Sequence, residues 1–171
     1  MTPNERARSI KLLIMDVDGT LTDSAMYFSA RGEELKRFST RDGMGITLLH
    51  RAGIRTAIVT SESSEIVSRR AEKLGITEVV LGCHDKTTTL HDISRRLGIA
   101  PSDIAYIGDD VNDLHVMTCC GLAGCPSDAV PAIKAVAQMV SDFPGGNGAV
   151  RQFAEFILEA QGKSIGLPEN W

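Results

Sequence analysis

The sequence predicts an α/β fold, a doubly wound (Rossmann-like) parallel sheet with a small β-hairpin inserted after the first strand. Two observations support this. Short apolar runs alternate with helix-like segments, which is typical of βαβ units. The length of 171 residues suits one domain, residues 1–171, with 43% apolar and 23% charged residues as in a folded globular chain.

The apolar runs and the segments between them predict the order of elements. Strands are expected at 11–15, 56–60, 78–81, 104–107, 122–123 and 139–141. Helices are expected at 43–51, 64–74, 87–97, 112–119, 129–136 and 150–161. Glycines 53, 75 and 98 read as helix stops, and Ser63 and Asp85 read as N-caps.

One stretch departs from this alternation. Apolar residues at 26–28 and 35–38 flank the turn-forming residues 30–33, which predicts a β-hairpin flap over residues 24–39. A hairpin of this size is too small to be a second domain. The tail, 162–171, is expected to be irregular.

Charge and composition exclude several functional classes. The net charge of -4 gives nucleic acid no broad reason to bind, so a small metabolite is the expected partner. Asp16 interrupts the first apolar run, so no signal peptide or membrane span is expected, and a cytoplasmic location follows. The four cysteines lack the spacing of a zinc site and are expected to be reduced.

Polar residues of an unusual type stand where the apolar runs stop. The carboxyl ends of parallel strands meet at one edge of a sheet, so these side chains are expected to lie together. They are Asp16, Asp18, Thr60, Asp109 and Asp113, with Lys86 at the start of a helix.

These residue types suit a metal ion and a phosphate. Neighbouring carboxylates repel one another unless a cation holds them, and hard oxygen ligands without His or Cys favour Mg²⁺. Lys86 and Thr60 can hold a phosphate, and a carboxylate beside phosphorus can attack it to form an aspartyl-phosphate. Each piece alone has a simpler interpretation: an Asp-x-Asp can be a turn, and the acidic run 108–113 a calcium loop, although it lacks EF-hand spacing.

In combination, the segments DVDGTLTD (16–23), Thr60-Ser61, Lys86 and GDDVND (108–113) resemble the four motifs of the haloacid dehalogenase superfamily. The resemblance implies that Asp16 is the nucleophile and a metal ligand. It implies that Asp18 is the general acid and base and gives a backbone carbonyl to the metal.

The same resemblance implies roles for the later motifs. Asp109 is expected to bind Mg²⁺, and Asp113 to support Lys86 or a metal-bound water. Thr60 is expected to orient the phosphoryl oxygens that Lys86 neutralises. An acid/base aspartate at 18 favours a phosphatase over a dehalogenase, because a halide leaves without a proton. Two rivals remain: a non-catalytic regulatory domain, and a phosphotransferase or mutase.

Neither interval between the motifs has room for a separate cap domain, and segments 25–28, 38–46, 70–76 and 145–151 resemble the sugar-acid phosphatase branch. Members of that branch are homotetramers in which hairpin and tail help to close a neighbouring site. Known substrates are 3-deoxy-D-manno-octulosonate 8-phosphate and the nonulosonate 9-phosphates of the sialic acid (KDN) type.

Residues 61 and 62 bear on the substrate. The octulosonate enzymes typically have Gly-Arg there, whereas Ser61-Glu62 is more like the nonulosonate group, so a nonulosonate 9-phosphate is expected and the octulosonate is the alternative. Glu62 can accept hydrogen bonds from sugar hydroxyls, and Arg70 or Arg151 can pair with the sugar carboxylate. The predicted substrate-binding residues are Thr60, Ser61, Glu62, Arg70, Lys86 and Arg151.

Overall fold

A six-stranded, all-parallel sheet forms the centre of the computed structural model, which describes residues 1–169. Its strands lie in the order β5-β4-β1-β6-β7-β8. They are β1 (Leu12–Met15), β4 (Arg55–Val59), β5 (Glu78–Val80), β6 (Ile104–Ile107), β7 (Leu122–Cys125) and β8 (Met139–Val140). The order reverses at β1, which pairs with β4 on one side and β6 on the other. The predicted doubly wound parallel sheet is confirmed.

Helices cover both faces of this sheet. They are α1 (Pro3–Ala7), α2 (Thr40–Arg51), α3 (Glu65–Leu74), α4 (Lys86–Leu97), α5 (Leu114–Cys119), α6 (Pro131–Val136) and α7 (Ala149–Ala160). Short 3₁₀ turns precede β6 and α5, at Pro101–Asp103 and Val111–Asp113. Among the described residues, no helix has the length and apolar character needed to cross a membrane.

The central strand β1 is buried on both faces, which explains its unbroken apolar sequence. Leu13 and Met15 belong to a core built with α2, α3 and α7. Leu12 and Ile14 point to the opposite core, which α4, α5 and α6 cover. The strand is therefore held between two packed layers, and its last residue delivers Asp16 to the carboxyl edge of the sheet.

The predicted hairpin is present as strands β2 (Tyr27–Ser29) and β3 (Gly32–Leu35). Within the described part of the chain they pair with each other alone, and a bridge between Thr22 and Phe38 closes the base. We refer to residues 24–39 as the flap, as predicted. Its apolar side chains are exposed to solvent within the chain, at 63% for Phe28 and 62% for Leu35.

A buried carboxylate joins α2 to α7. Asp42 is 1% exposed and accepts hydrogen bonds from the backbone N–H groups of Arg151 at 2.9 Å and Gly148 at 3.3 Å. It thus satisfies N–H groups that the first turn of α7 leaves without an intrahelical partner. Gly45 lets the two helices approach, since a Cβ there would lie 2.9 Å from the Cα of Arg151.

Several expected boundaries were wrong by a few residues. Helix α2 begins at Thr40, three residues before the expected start, because Ser39 caps it and Gly43 continues it. Ser64 rather than Ser63 occupies the N-cap of α3, whereas Asp85 caps α4 as predicted. The short α1 was missed, although its capping box of Thr2 and Glu5 is a readable signal. Residues 162–169 contain no helix or strand, and 170–171 lie outside the described residues.

Candidate active site

The candidate site lies at the carboxyl edge of the sheet, where β1, β4 and β6 are neighbours. Asp16 directly follows β1, and its backbone N–H donates to the carbonyl of Ile107 at 3.0 Å. Thr60 directly follows β4, and its N–H donates to Val80. Because the sheet order reverses at β1, the loops after these strands diverge and leave a crevice between them.

Lys86 joins two carboxylates in the centre of this edge. Its ammonium lies 2.6 Å from Asp16 Oδ1 and 2.6 Å from Asp113 Oδ1. All three side chains are almost fully buried. Burial of Lys86 acts to lower its pKa, but the adjacent carboxylates outweigh that effect and raise it, so the residue stays an ammonium.

Asp113 is fixed from every side. Besides the ion pair, its Oδ1 accepts the hydroxyl of the buried Tyr106 at 2.7 Å. Its Oδ2 accepts the backbone N–H of Asp109 at 3.1 Å. A charge-assisted network of this kind holds the ammonium of Lys86 in one position beside Asp16.

Asp16, Asp109 and Asp113 converge on one point, with a carboxylate oxygen of each within 4.8 Å of the others. Burial, followed by the charge of Asp113, raises the pKa of Asp16 to about 8 and that of Asp109 to about 7. Lys86 lowers both but does not compensate. With all three carboxyls ionised, the site would carry more negative charge than Lys86 neutralises, and its oxygen ligands suit a hard divalent ion such as Mg²⁺.

Two glycines make this convergence possible. A Cβ on Gly108 would lie 2.4 Å from the carboxyl carbon of Asp113. A Cβ on Gly19, whose φ is +94°, would lie 2.0 Å from Asp109 Oδ2. Any side chain at either position would push a carboxylate out of the cluster.

An open pocket of about 260 Å³ adjoins the cluster. Five residues predicted for the site line it: Asp16, Asp18, Thr60, Ser61 and Glu62. The rest of its lining comes from Asp110, Val111 and Asn112 in the loop after β6. The pocket thus brings the expected nucleophile, the expected acid/base and the expected specificity residues to one space.

The flap reaches the same site through Lys36. The side chain of Lys36 has no exposed surface, and its ammonium lies 2.5 Å from Asp18 Oδ1 and 2.6 Å from Glu33 Oε1. Glu33 Oε2 in turn accepts the hydroxyl of Ser64 at 2.5 Å. The base of the flap is thereby bound to the loop after β1 and to the start of α3.

Comparison with known proteins agrees with this geometry. A sequence profile of haloacid dehalogenase-like hydrolases matches residues 40–121. The 3-deoxy-D-manno-octulosonate 8-phosphate phosphatase KdsC of Escherichia coli K12 is 42% identical over 158 residues, which cover 92% of this chain and 84% of the relative. The chain belongs to the haloacid dehalogenase-like hydrolase family. The predictions of the family and of an enzyme that hydrolyses phosphoric monoesters are confirmed.

Solved structures of this hydrolase family have the same fold. The octulosonate 8-phosphate phosphatase of Yersinia pestis superposes with a TM-score of 0.91 at 42% identity, covering 94% of this chain and 86% of the other. The Moraxella catarrhalis enzyme gives 0.91 at 41% identity, with 94% and 92% covered. That structure holds magnesium, phosphate and a KDO molecule.

Three residues predicted to bind substrate in this hydrolase lie outside the pocket lining: Lys86, which contacts the pocket residue Asp16, and Arg70 and Arg151. The guanidinium of Arg70 donates to the carbonyl of Ser39 at 3.0 Å and stacks 5.5 Å from the ring centre of Phe38. Arg151 pairs with Glu155 at 2.7 Å and lines a different cavity. The contacts of these two arginines within the chain are structural, so their role toward a sugar carboxylate stays a prediction.

Three residues that contact the site of the hydrolase were not predicted from the sequence. They are Tyr106, which holds Asp113; Thr20, whose hydroxyl donates to Asp109 Oδ1 at 3.2 Å; and Lys36. Tyr106 could have been predicted, because alternate residues of a strand point to the same face of the sheet. Tyr106 therefore shares its face with Gly108, the first residue of the acidic segment 108–113. Lys36 carried none, since a lysine in a charged hairpin usually belongs to a solvated face.

Proposed function

We propose that the protein is a Mg²⁺-dependent phosphatase that hydrolyses 3-deoxy-D-manno-octulosonate 8-phosphate through a phosphoryl intermediate on Asp16. The observation that carries this proposal is the buried Asp16–Lys86–Asp113 array, which opens through Asp16 onto the pocket. A carboxylate held beside a fixed cation suits a nucleophile that must approach an anionic phosphoryl group.

The residues of the cluster fit Mg²⁺. Asp16 and Asp109 would bind the ion with the backbone carbonyl of Asp18, and Asp113 would hold Lys86 or a metal-bound water. Burial, followed by the charge of Asp113, raises the pKa values of Asp16 and Asp109 to about 8 and about 7, and a bound divalent cation would stabilise their charged forms. When bound, Mg²⁺ neutralises charge on the phosphoryl oxygens and orients them for in-line attack.

Asp16 and Asp18 then divide the chemistry. In the first step an Asp16 oxygen attacks phosphorus, the ester P–O bond breaks, and Asp18 gives its proton to the departing sugar alkoxide. In the second step Asp18 takes a proton from water as that water attacks the aspartyl-phosphate. The P–O bond to Asp16 breaks, inorganic phosphate leaves, and both carboxyls return to their starting states.

Other residues bind and orient. Lys86 neutralises a phosphoryl oxygen, and the Asp113–Tyr106 pair keeps its ammonium beside Asp16. Thr60, which lines the pocket with Ser61 and whose hydroxyl accepts the backbone N–H of Glu62 at 3.3 Å, orients the phosphoryl group. Charged groups that are fixed before the reaction stabilise the transition state without reorganising, which is the main source of rate in phosphoryl transfer.

The choice of substrate rests on the relatives. Several proteins about 42% identical over more than nine-tenths of this chain are named octulosonate 8-phosphate phosphatases, which favours that alternative over the nonulosonate expectation. The exposed Glu62, which lines the pocket, is the observation that favours a nonulosonate 9-phosphate. We therefore keep the nonulosonate as the second candidate.

A homotetramer is the proposed assembly. The flap exposes Met26, Tyr27, Phe28 and Leu35, an apolar surface that a two-stranded ribbon cannot bury by itself. A neighbouring subunit would cover this surface and, in the absence of a cap domain, would also help to close the pocket.

Phosphate release from purified protein tests the proposal. Octulosonate 8-phosphate and a nonulosonate 9-phosphate should be compared with and without Mg²⁺, with Asp16→Asn as the inactive control. We expect Mg²⁺-dependent release, with kcat/KM higher for the octulosonate. Preference for the nonulosonate would select the second candidate. No release from any sugar-acid phosphate would favour the regulatory-domain rival.

A further inference from the structure

We propose that Lys36 is a positioning residue for Asp18, through which the flap orients the acid/base carboxyl toward the leaving group. This inference rests on the proposed phosphatase function and adds to it a residue outside the four motifs. The observations that carry it are the burial of Lys36, the state of the two Asp18 oxygens, and the links from the flap to both sides of the pocket.

The side chain of Lys36 is buried. It has no exposed surface, although the rest of the hairpin is largely solvated. A lysine loses favourable hydration on such burial unless carboxylates replace the water. Asp18 and Glu33 do so, and their hydrogen bonds raise the pKa of Lys36 even though burial alone would lower it. A cation placed this way has a defined geometry toward Asp18.

The two oxygens of Asp18 are in different states. Oδ1 is bound by Lys36, whereas Oδ2 is buried and has no hydrogen-bond partner among the residues that the structure describes. An unpaired buried oxygen is unfavourable, and such atoms in native proteins often mark a group that acts on a ligand. Asp18 lines the pocket. Anchoring Oδ1 therefore leaves Oδ2 as the oxygen that exchanges a proton with the leaving group and then with water.

The anchor for Lys36 extends across the site. Glu33 also accepts from Ser64, which occupies the N-cap position of α3 four residues after Thr60. The next flap residue, Arg37, donates to the carbonyl of Gly146 at 3.1 Å. The flap base is thus hydrogen-bonded to three separate segments: the loop after β1, the start of α3 and the loop before α7. A displaced flap would take Lys36 with it and would release the carboxyl of Asp18 from its fixed rotamer.

The test compares two leaving groups. Lys36→Met keeps the length of the side chain and removes the charge. With octulosonate 8-phosphate, whose alkoxide needs a proton, kcat/KM should fall about 100-fold, the lower range of a general-acid contribution. With para-nitrophenyl phosphate, whose phenolate leaves unprotonated, kcat/KM should fall by less than about 3-fold. Arg31→Met removes an exposed cation at the tip of the same hairpin and should change neither. We compare kcat/KM because it reports departure of the leaving group and not the later hydrolysis step that both substrates share.

A double variant separates positioning from other roles. If Lys36 acts through Asp18, adding Lys36→Met to Asp18→Asn should cause no further loss with the sugar-acid substrate. Lys36→Arg should restore part of the turnover lost in Lys36→Met, since a guanidinium can bind both carboxylates. Should Lys36→Met fail to fold by circular dichroism, Lys36→Arg carries the comparison, with a smaller but still selective loss expected for the sugar-acid substrate.

Three outcomes would overturn the inference. One is an equal fall for both substrates, which would make Lys36 a phosphate-binding cation. The second is unchanged turnover, and the third is an additive loss in the double variant. An inactive wild-type protein would instead refute the proposed function itself, so the two failures are distinguishable.

Discussion

Replacement of Asp109 by Asn should make the metal-free protein more stable and remove its response to Mg²⁺. Asp109 shares the cluster with Asp16 and Asp113, and one ammonium, that of Lys86, faces these carboxylates. Asn keeps an oxygen that can accept the Thr20 hydroxyl but carries no charge. The substitution therefore removes repulsion while it retains the shape of the site.

The magnitude follows from the pKa of Asp109. The folded protein raises this pKa from 3.8 to about 7, whereas the unfolded chain keeps the ordinary value. The folded state thus holds the proton longer, and stability falls as pH rises from about 4 to about 7. At ~1.4 kcal/mol for each tenfold change in proton affinity, the full penalty is about 4 kcal/mol. Because Asp109 is partly exposed, solvent screening reduces it to roughly 2 kcal/mol.

Chemical denaturation at a pH near 8 measures this effect in excess EDTA and again in excess Mg²⁺. In EDTA the Asp109→Asn variant should exceed the wild type by about 2 kcal/mol. In Mg²⁺ the wild type should gain stability with ion concentration and the variant should not. Asp92→Asn, which replaces an exposed carboxylate on α4 that pairs with Arg95, is the control and should behave as the wild type.

Two results would refute this reasoning. If Asp109→Asn were less stable than the wild type in EDTA, the carboxylates would not repel one another in the folded state. If the variant gained as much stability from Mg²⁺ as the wild type does, Asp109 would not be a ligand.

Three further variants probe the array, its support and the flap. Asp16→Asn should lose at least about 1,000-fold in kcat with the fold intact, because an amide is a poor nucleophile; retention of a tenth of the activity, with deamidation excluded by mass spectrometry, would remove the assigned role. Tyr106→Phe should lower the free energy of unfolding by about 1 kcal/mol and kcat about 10-fold, because Asp113 would hold Lys86 less firmly. Tyr27→Phe is the control, and equal kinetics for the two variants would contradict the supporting role of Tyr106. The double variant Met26→Glu, Phe28→Glu should dissociate the assembly, as measured by light scattering. It should also reduce turnover of the sugar-acid phosphate more than that of para-nitrophenyl phosphate. A fully active monomer would exclude a lid shared between subunits.

The sheet and the residues at its catalytic edge could be predicted from the sequence. Parallel strands buried on both faces are short apolar runs, and their carboxyl ends must meet at one edge. Asp16, Thr60 and Asp109 could therefore be placed together before any distance was known. Lys86 was placed with them only by motif order, because nothing local shows that a lysine at a helix start points inward.

The features that could not be predicted from the sequence depend on contacts between distant segments. The helix expected to begin at Gly43 begins three residues earlier, at Thr40, and Gly45 within it lets α7 pack closely. The burial of Lys36 arises from the fold of the flap base onto Asp18, a contact that spans 18 residues. Arg70 and Arg151, which were expected at the substrate, contact Ser39 and Glu155 within the chain, and their role toward the substrate stays a prediction. Side-chain direction on a helix cannot be read without the neighbouring element.

Because β1 lies between β4 and β6, the backbone hydrogen bonds beneath the active site should open far less readily than those of the flap. Backbone amides of β1 are hydrogen-bonded within a sheet that two cores cover, so their exchange with solvent deuterium should require opening of the whole fold. The flap has two strands, few buried apolar contacts and a solvated ladder, so its amides should exchange through local opening. The nucleophile thus belongs to a slowly opening part of the protein, whereas the tip of the flap belongs to a part that opens more readily. We expect flap fluctuations that admit substrate to leave Asp16 and Lys86 undisturbed.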